Sequence, residues 1–423
     1  MSMPMKDSGV EWLGKVPETW DTAPLRVFLK LRRDIIGPES ATTKLLSLTL
    51  QGVIERDLEN PTGKMPASFD GYQRISAGEM VFCLFDMDET PRTVGVAPQD
   101  GMLTGAYTVF HPKSELWARY LYYFFLHVDE YKRLKPFYKG LRKTIRPGPF
   151  LSIRVPRPAE AEAEAIVTHL DRATTRIDTL VAKKTRFIEL LREKRQAMIT
   201  RAVTKGLDAG VPMKDSGVEW LGKVPAHWDV VPPGVLFTDS KERAHTDDQM
   251  LSATQKYGVI PLAEFEALER RQVTKASTNF EMRKHVEVGD FVISMRSMDG
   301  GLERSHATGS VRSSYSVLKA HSEVHGPYFA LLLKCSLFIQ ALRLTSNFIR
   351  DGQDLSFTHV KKVKLPLPDL AEQKEISEHV NRATSRIDTL IAKTERSIEL
   401  LREHRTALIT AAVTGKIDLR ETA

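Results

Sequence analysis

The sequence predicts an α+β protein in which two α/β domains alternate with two long helices. Three observations lead to this fold class. Residues 5–17 return unchanged at 213–225. A long amphipathic stretch at 166–204 has a near copy later in the chain, which contains 382–390 and 398–403. The segments between them carry short apolar runs bounded by glycine and proline, which is the pattern of strands.

The repeated arm and helix divide the chain into two copies of one unit. After the arm, Trp20-Asp21 of the first copy returns as Trp228-Asp229 in the second. A period of about 208 residues is too long for a solenoid and indicates a duplicated domain. We therefore predict an arm and domain over 1–155, a helix and connector over 156–212, a second arm and domain over 213–365, and a second helix over 366–423.

The first domain is predicted to be an α/β mixture in which strands are the majority. Residues 44–50, 80–85 and 106–110 are short runs rich in apolar and β-branched side chains, so they are strand candidates. Residues 115–126 place aromatic and aliphatic side chains at helical spacing and are predicted to form a helix.

A basic and aromatic segment, 131–149, follows that helix, and no acidic residue occurs between Glu130 and Glu160. Such a run is usually a solvated surface turn, but basic side chains interleaved with aromatic ones can also contact phosphates and enter a groove. The candidate DNA-contacting residues in it are Lys132, Arg133, Lys135, Tyr138, Lys139, Arg142, Lys143 and Arg146.

The second domain has the same kinds of element but a much less basic segment at the corresponding place. Its strand candidates are Val259-Ile260, 290–294 and 315–318, and 328–344 is predicted to be a helix. Beyond scattered matches, such as a shared glycine and a shared tyrosine, the two domains differ in sequence. The candidate DNA-contacting residues here are Arg343, Asn347 and Arg350.

Each long helix carries one apolar seam with charged residues on its other faces, which is typical of a coiled coil and not of a membrane helix. A helix of this length cannot bury its seam alone, and the obvious partner is its own copy. The predicted seam residues are Ile166, Leu170, Ile177, Leu180, Phe187, Leu191, Ile376, Val380, Ile387, Leu390, Leu401 and Leu408.

The composition and the missing motifs exclude several functions. The two cysteines form no CxxC pair, and no signal region or run of 18 apolar residues is present, which predicts a cytoplasmic protein without a membrane span. No nucleotide loop, methyltransferase tetrapeptide or hydrolase motif occurs, so no catalytic residue is predicted. His321 and His325 lack a third ligand, and no metal site is predicted. Asp369 and Glu372 superficially resemble a nuclease set but are better explained as a helix capping box.

The order of these elements resembles that of the specificity (S) subunit of type I restriction–modification systems. The resemblance rests on Glu11–Pro17 in the arm, on the Pro366–Ile376 entry, on Arg386-Ile387-Asp388, and on the Leu401–Asp418 tail. Together these motifs are specific, and they cover the whole chain in the order of the family. The entry of the first helix departs from the pattern, because Ala159–Glu164 replaces the usual Glu-Gln pair.

The resemblance implies that the α/β domains are target recognition domains and that the helices pack antiparallel as a coiled coil, with a pseudo-two-fold internal repeat. Each domain would recognise one half of a bipartite, asymmetric site in double-stranded DNA. The chain would be a non-catalytic subunit without a cofactor of its own. Two methylase (M) subunits and the restriction (R) subunits would be its partners, and they would bind S-adenosylmethionine, ATP and Mg.

Two other hypotheses remain open from the residues. One is a degenerate single-chain DNA methyltransferase, which the missing motifs oppose. The other is a coiled-coil scaffold that joins proteins without contacting DNA, which the basic segment at 131–149 opposes. Binding of S-adenosylmethionine by the isolated chain would favour the first, and DNA binding that weakens steeply with salt would argue against the second.

Overall fold

The computed structural model describes residues 4–57, 66, 68–273, 280–294, 296–345 and 355–419 of the 423. It contains two compact units: 1–185 with 396–423 (unit 1), and 186–395 (unit 2). The long helices span Glu160–Lys205 and Leu370–Val413, so each unit holds an arm, an α/β domain and a part of each helix. The α+β fold class is confirmed. The domain boundaries predicted above stay predictions. Each long helix contributes residues to both units, so boundaries drawn along the sequence do not coincide with the two units.

Unit 1 is built around a four-stranded antiparallel sheet in the order Leu29–Arg32, Thr108–Pro112, Met80–Phe82, Val94–Val96. The strands of the unit are Met5–Asp7, Lys15–Pro17, Asp21–Pro24, Leu29–Arg32, Leu46–Thr49, Gly52–Glu55, Gln73–Ile75, Met80–Phe82, Val94–Val96, Gly101–Leu103, Thr108–Pro112 and Arg154–Arg157. Its helices, besides parts of the long ones, are Leu25–Val27, Gly37–Ala41, Glu115–Glu130, Lys135–Phe137 and Pro147–Ser152.

Both faces of this sheet are covered, which explains why its central strand is an unbroken apolar run. Met80 and Phe82 pack in the main core with the helix Glu115–Glu130, whereas Val81 packs on the other face. There the hairpin of Leu46–Thr49 and Gly52–Glu55 supplies Leu46 and Val53. Alternate residues of one strand therefore enter two separate cores, and none of the three faces water.

Unit 2 repeats this topology strand for strand, although its sequence is different. Its central sheet has the order Phe237–Ser240, Ser316–Ala320, Phe291–Ile293, Glu303–Arg304. Its strands are Met213–Asp215, Lys223–Pro225, Asp229–Val231, Phe237–Ser240, Leu251–Thr254, Gly258–Pro261, Lys284–Val286, Phe291–Ile293, Glu303–Arg304, Gly309–Val311, Ser316–Ala320 and Leu365–Leu367. Its shorter helices are Pro233–Leu236, Leu262–Glu269, Phe280–Met282, Ser297–Gly300, Gly326–Leu332, Ser336–Leu344 and Phe357–Val360.

The predicted helix at 328–344 is two helices, so that prediction was wrong in its continuity. Gly326–Leu332 and Ser336–Leu344 are bent by 66° relative to each other. The break forms because the backbone N–H of Leu302 donates to the carbonyl of Leu333 at 3.1 Å, a contact that comes from a distant turn. Within the described ranges no single helix is long and apolar enough to cross a membrane. The bent pair Gly326–Leu332 and Ser336–Leu344, taken together, meets the length and composition of a membrane span, and only those two criteria.

Within each unit the two long helices run antiparallel. In unit 1, Arg405 pairs with Asp178 at 3.0 Å. In unit 2, Arg195 pairs with Asp388 at 2.9 Å and Arg192 pairs with Glu395 at 2.9 Å. In unit 2, residue numbers fall from Arg195 to Arg192 in one helix while those of their partners rise from Asp388 to Glu395 in the other, as antiparallel packing requires.

At the start of the second long helix, only one of the two hydrogen bonds of the predicted capping box is present. The Asp369 carboxylate accepts from the backbone N–H of Glu372 at 2.8 Å. The Glu372 carboxylate does not return to the cap, as a capping box would require, because it accepts from Trp228 Nε1 at 2.8 Å and contacts His227 Nε2 at 2.9 Å. The capping-box interpretation is therefore corrected to a simple N-cap, and the glutamate holds the two residues at 227–228 that follow the arm of unit 2.

Candidate nucleic-acid interface

The basic segment of unit 1 is a series of tight turns that leaves the end of the helix Glu115–Glu130. Lys132 and Lys143 adopt left-handed backbone angles, with φ of 47° and 45°, and Gly140 has φ of 69°. The bridge between Lys139 and Thr144 closes the outermost turn. The segment is anchored from below, because the ring of Phe137 packs edge-on against Trp12 of the arm at 5.9 Å.

Acidic side chains from elsewhere in unit 1 neutralise part of this segment. Lys143 donates to Asp88 at 3.0 Å and Lys135 lies 3.7 Å from the same carboxylate. The pKa of Asp88 is held below its ordinary value, first by the hydrogen bond from Lys143 and then by the charge of Lys135. Lys132 is tied to Asp129 at 2.7 Å. These three lysines therefore bring less net charge to a ligand than the sequence suggests.

The remaining cations of the segment are exposed and have no ion pair among the described residues of unit 1. They are Lys139, Arg142 and Arg146, while Arg133 lies over the ring of Tyr131 at 5.7 Å from its centroid. Between the first two is Leu141, which is fully exposed. The tip of this turn therefore combines one fully exposed leucine with exposed cations that have no described ion pair.

Tyr138 lies behind this tip and is half-buried. Burial, and then the charges of Asp88 and Asp129, raise the pKa of its hydroxyl to about 12. The phenol therefore stays protonated at neutral pH and remains a hydrogen-bond donor.

In unit 2 the three predicted contact residues are placed differently or not described. Asn347 and Arg350 lie outside the described residues. Arg343 is described, and its guanidinium donates to the Met298 carbonyl at 2.9 Å and to the Asp299 carboxylate at 2.8 Å. Arg343 therefore holds the turn at 298–299, and its contact with DNA stays a prediction.

Unit 2 has a second basic surface that sequence reasoning missed. A concavity of about 660 Å³ is lined by the Leu251–Thr254 and Gly258–Pro261 hairpin and by residues at the ends of Phe291–Ile293 and Ser316–Ala320, the two inner strands of the sheet. Its basic residues are spread over about 60 positions of sequence, so no local charge run revealed them. The cationic and aromatic residues that line it are Lys256, Tyr257, Phe265, Arg271, Arg283, Arg296, Arg312 and Tyr315.

The equivalent place in unit 1 shares the tyrosine of unit 2 but carries a phenylalanine where unit 2 has Arg296. Tyr315 immediately precedes Ser316, which pairs with Ile293. Arg296 lies three positions after Ile293. In unit 1, Tyr107 precedes Thr108, which pairs with Phe82, and Phe85 takes the place of Arg296. Phe85 and Tyr107 stack at 6.3 Å with an angle of 21° between their rings. One scaffold thus presents two chemically different surfaces.

The predicted seam residues of the long helices differ in burial. Ile166, Leu170, Ile177, Leu191, Ile376, Val380 and Ile387 are buried, and Leu401 and Leu408 are half-buried. Leu180, Phe187 and Leu390 keep 38%, 43% and 41% of their surface exposed. Ile188 and Ile398, which are expected to take over the seam where a 3.6-residue helix drifts against a heptad, are buried near these positions.

Comparison with known proteins finds similarity to specificity subunits, although no family model matches the chain. The chain is 20% identical to a protein assigned as the MjaX type I restriction enzyme specificity subunit of Methanocaldococcus jannaschii, over 96% of each chain. It is 24% identical to the EcoKI specificity subunit of Escherichia coli over 46% of this chain and 44% of that one. The resemblance stated from the sequence is confirmed.

Solved structures show the same fold. A chain from a study titled "Structural basis underlying complex assembly and conformational transition of the type I R-M system" has a TM-score of 0.66 and 12% identity, covering 95% of this chain and 99% of its own. The HsdS subunit of Thermoanaerobacter tengcongensis has a TM-score of 0.51 and 12% identity, covering 95% of this chain and 98% of its own. These likenesses establish two α/β domains with long helices as the fold.

Proposed function

We propose that this chain is the DNA-specificity subunit of a type I restriction–modification complex, and that each α/β domain recognises one half of a bipartite, asymmetric site. One observation carries the proposal: the two domains share every named strand pairing, yet beside a shared tyrosine one carries Phe85 and the other carries Arg296. A device for two different half-sites needs this combination of a common frame and unlike surfaces.

In unit 1 the contact to DNA would be made by the tip of the basic segment. Lys139, Arg142 and Arg146 are free to neutralise phosphates, which fixes the position of a domain on the duplex without selecting sequence. Leu141 would enter a groove between them, since an apolar side chain without protein neighbours gains from contact with bases or sugars. Tyr138 could donate a hydrogen bond to a base or a phosphate.

In unit 2 the concavity would receive the DNA. Arg283 is already oriented, because its guanidinium donates to the Ser310 hydroxyl at 2.9 Å and to the Ser310 carbonyl at 2.6 Å. Arg312 and Arg296 have no ion pair in the described part of unit 2. Guanidinium groups are suited to bidentate recognition of guanine as well as to phosphate contact.

The long helices would dock two methylase subunits. In each unit, two leucines of the long helices are exposed. They are Leu180 and Leu400 in unit 1, and Leu390 and Leu190 in unit 2. Leu180 corresponds to Leu390, and Leu190 to Leu400, in the repeat. Equivalent apolar side chains exposed in two copies favour two copies of one partner.

Catalysis would belong to the partners. The methylase subunits would bind S-adenosylmethionine and methylate adenine, and the restriction subunits would use ATP and Mg. This chain would be non-catalytic and cytoplasmic, and it would determine which sites the complex acts on.

The proposal is tested by mapping methylated adenines. The chain is produced with its neighbouring methylase subunits in a host that lacks adenine methylation, and the genome is examined by long-read sequencing. We expect one bipartite, asymmetric motif with a spacer of fixed length, and no methylation when either the chain or the methylase is left out. Methylation by the chain alone would indicate a single-chain enzyme. Methylation by the methylase alone, at the same sites, would reduce the chain to a scaffold.

A further inference from the structure

A cluster of two histidines and two carboxylates lies on unit 2, outside the surfaces described above. The side-chain ligand atoms of Glu242, His245 and His285 all lie within 4.8 Å of one another. The imidazole rings of the two histidines stack with centroids 4.1 Å apart and an angle of 25°. Sequence reasoning missed the cluster, because His285 is forty positions from His245 and neither lies in a recognisable ligand motif.

One distance in the cluster suits coordination, whereas the stacked rings keep the two imidazole lone pairs from converging on one ion until the exposed ring of His245 turns. His245 Nε2 lies 3.3 Å from Glu242 Oε1. This is the distance between two ligands of one tetrahedral ion with bonds of about 2.0–2.1 Å, which places them roughly 3.3 Å apart. The other carboxylate oxygen, Oε2, is held by Lys319 Nζ at 3.3 Å. One oxygen of Glu242 is therefore oriented while the other faces the imidazole.

The buried member of the cluster is already oriented by a second carboxylate. Asp248 contacts Nδ1 of His285 at 2.9 and 3.0 Å, and both side chains are buried. This contact fixes the tautomer with a proton on Nδ1, which leaves the lone pair of Nε2 available. A carboxylate that holds the far nitrogen of a histidine is the usual second layer of a metal site.

The internal repeat gives independent support for a cation at this position. In unit 1 the backbone N–H of Arg74 donates to the Asp34 carbonyl at 2.7 Å, and in unit 2 that of His285 donates to the Glu242 carbonyl at 3.1 Å. Arg74 and His285 are thus equivalent, as are Asp34 and Glu242.

In unit 1 the position is occupied by a permanent positive charge. The Arg74 guanidinium lies 3.5 Å from the Asp34 carboxylate and 2.8 Å from that of Glu39. Unit 2 keeps one carboxylate, Glu242 in place of Asp34, and replaces the guanidinium by an imidazole, adding a second imidazole at His245. Unit 2 therefore lacks the fixed positive charge that unit 1 has at this position, and it has side chains that can bind a cation instead.

We propose that Glu242, His245 and His285 bind one divalent transition-metal ion, with Asp248 orienting His285. Two imidazole nitrogens and one carboxylate oxygen favour zinc, cobalt or nickel over magnesium or calcium, which prefer oxygen ligands. The ion fastens the loop 241–250 to the strand Lys284–Val286. Glu242 and His245 are exposed, so the ion enters from solvent without unfolding the domain. The inference does not depend on the proposed function.

The test uses the full-length chain without a histidine tag, freed of metal by a chelator. Zinc is titrated in competition with a chromophoric chelator, and Co²⁺ is titrated in parallel because its visible absorption reports tetrahedral coordination. The parent is expected to bind one equivalent, and His245→Gln and His285→Gln are each expected to bind at least tenfold more weakly. Asp248→Asn is expected to weaken binding about 10–100-fold, as for other residues that orient a ligand.

His111→Gln is the matched control. His111 also pairs with a carboxylate, that of Glu79 at 3.2 Å, but no second imidazole accompanies it among the described residues of unit 1. This variant should bind zinc like the parent. The melting temperature of each variant is measured first, and His245→Gln, at an exposed position, keeps the test decisive if His285→Gln does not fold. A parent that binds no zinc at micromolar concentration, or a folded His245→Gln that binds as tightly as the parent, would overturn the proposal.

Discussion

The Asp178 carboxylate accepts two hydrogen bonds from the guanidinium of Arg405, at 3.0 and 3.3 Å, and it thereby joins the two long helices in unit 1. Unit 2 contains the same pair in the reverse direction, because Arg195 donates to Asp388 at 2.9 and 3.3 Å. Asp178 and Asp388 are repeat-equivalent, and so are Arg195 and Arg405. The helices are therefore matched to each other by charge as well as by their apolar seams.

The first prediction concerns this pair. A double-mutant cycle with Asp178→Ala and Arg405→Ala should give a coupling free energy of about 0.5–1 kcal/mol, because the pair is bidentate but partly exposed. The cycle for Arg195 and Asp388 should give the same value within error. Coupling is measured from the free energy of unfolding of the parent, both single variants and the double variant. No coupling in either cycle would mean that these charges do not select the helix pairing.

The second prediction separates the free cations of unit 1 from the paired ones. Arg142→Ala should weaken DNA binding by the assembled methylase and lower the slope of log Kd against log salt by about one, since one phosphate contact is lost. Lys143→Ala should change the slope less, because Asp88 and Glu89 already share its charge. Affinities measured over a series of salt concentrations test this. Equal effects of the two variants would contradict the assignment.

The third prediction follows from His127, which is buried and lies 3.0 Å from the hydroxyl of Thr410. Burial, and then the charges of Arg133 and Lys416, lower the pKa of its imidazole from 6.5 to about 4. The unfolded chain takes up this proton at higher pH than the folded chain does. Stability contributed by the neutral imidazole is therefore complete above the unfolded pKa and is lost as the pH falls from 6.5 to about 4.

The expected loss over that window is on the order of 3 kcal/mol from this one group. In His127→Gln, which keeps a polar side chain next to Thr410, the free energy of unfolding should depend less steeply on pH over the same interval. If the parent and His127→Gln have the same slope, His127 is not neutral in the folded chain.

The fourth prediction compares the glycines that end the long helices. Gly206 and Gly415 have φ of 73° and 68°, so alanine at either should cost about 1–2 kcal/mol through the left-handed backbone alone. A Cβ at Gly415 would also lie 2.1 Å from Pro17 Cγ, whereas at Gly206 the nearest atom would be 3.4 Å away.

Gly415→Ala should therefore lower the melting temperature more than Gly206→Ala, because the arm of unit 1 must move, at a further cost of about 1–3 kcal/mol. Thermal unfolding of both variants provides the comparison. A smaller effect at Gly415 would show that the arm at Pro17 does not pack on the helix end.

Local pattern in the sequence was sufficient for the long helices and for the strands that are clear apolar runs, such as Met80–Phe82 and Thr108–Pro112, but not for the other short strands. Met80–Phe82 is an unbroken apolar run because both faces of its sheet are covered, and the seam recurs because the helices bury it against each other. The break at Leu333 was not predictable, since its cause is a hydrogen bond from Leu302, which lies in a distant turn. Apolar periodicity contains no information on such a contact.

The candidate site divides in the same way. The basic segment at 131–149 was visible as a charge run, but its neutralisation by Asp88 was not, because the partner lies on another loop. The concavity of unit 2 and the cluster around His285 were also invisible, since the fold gathers their residues from separated strands. Equivalences such as Arg74 with His285 emerge only from backbone pairing, because sequence alignment of the two domains has little to match.

The most direct test of the central claim exchanges one domain for the other within the full-length chain. Residues 226–365 are replaced by a second copy of 18–155, the helices and arms are kept, and methylated adenines are mapped with the methylase present. We predict a palindromic site that contains the half-site of the first domain twice, in inverted orientation, with the spacer length unchanged. Retention of the original asymmetric site by an assembled complex would contradict the account, because the second domain would then not determine the second half-site.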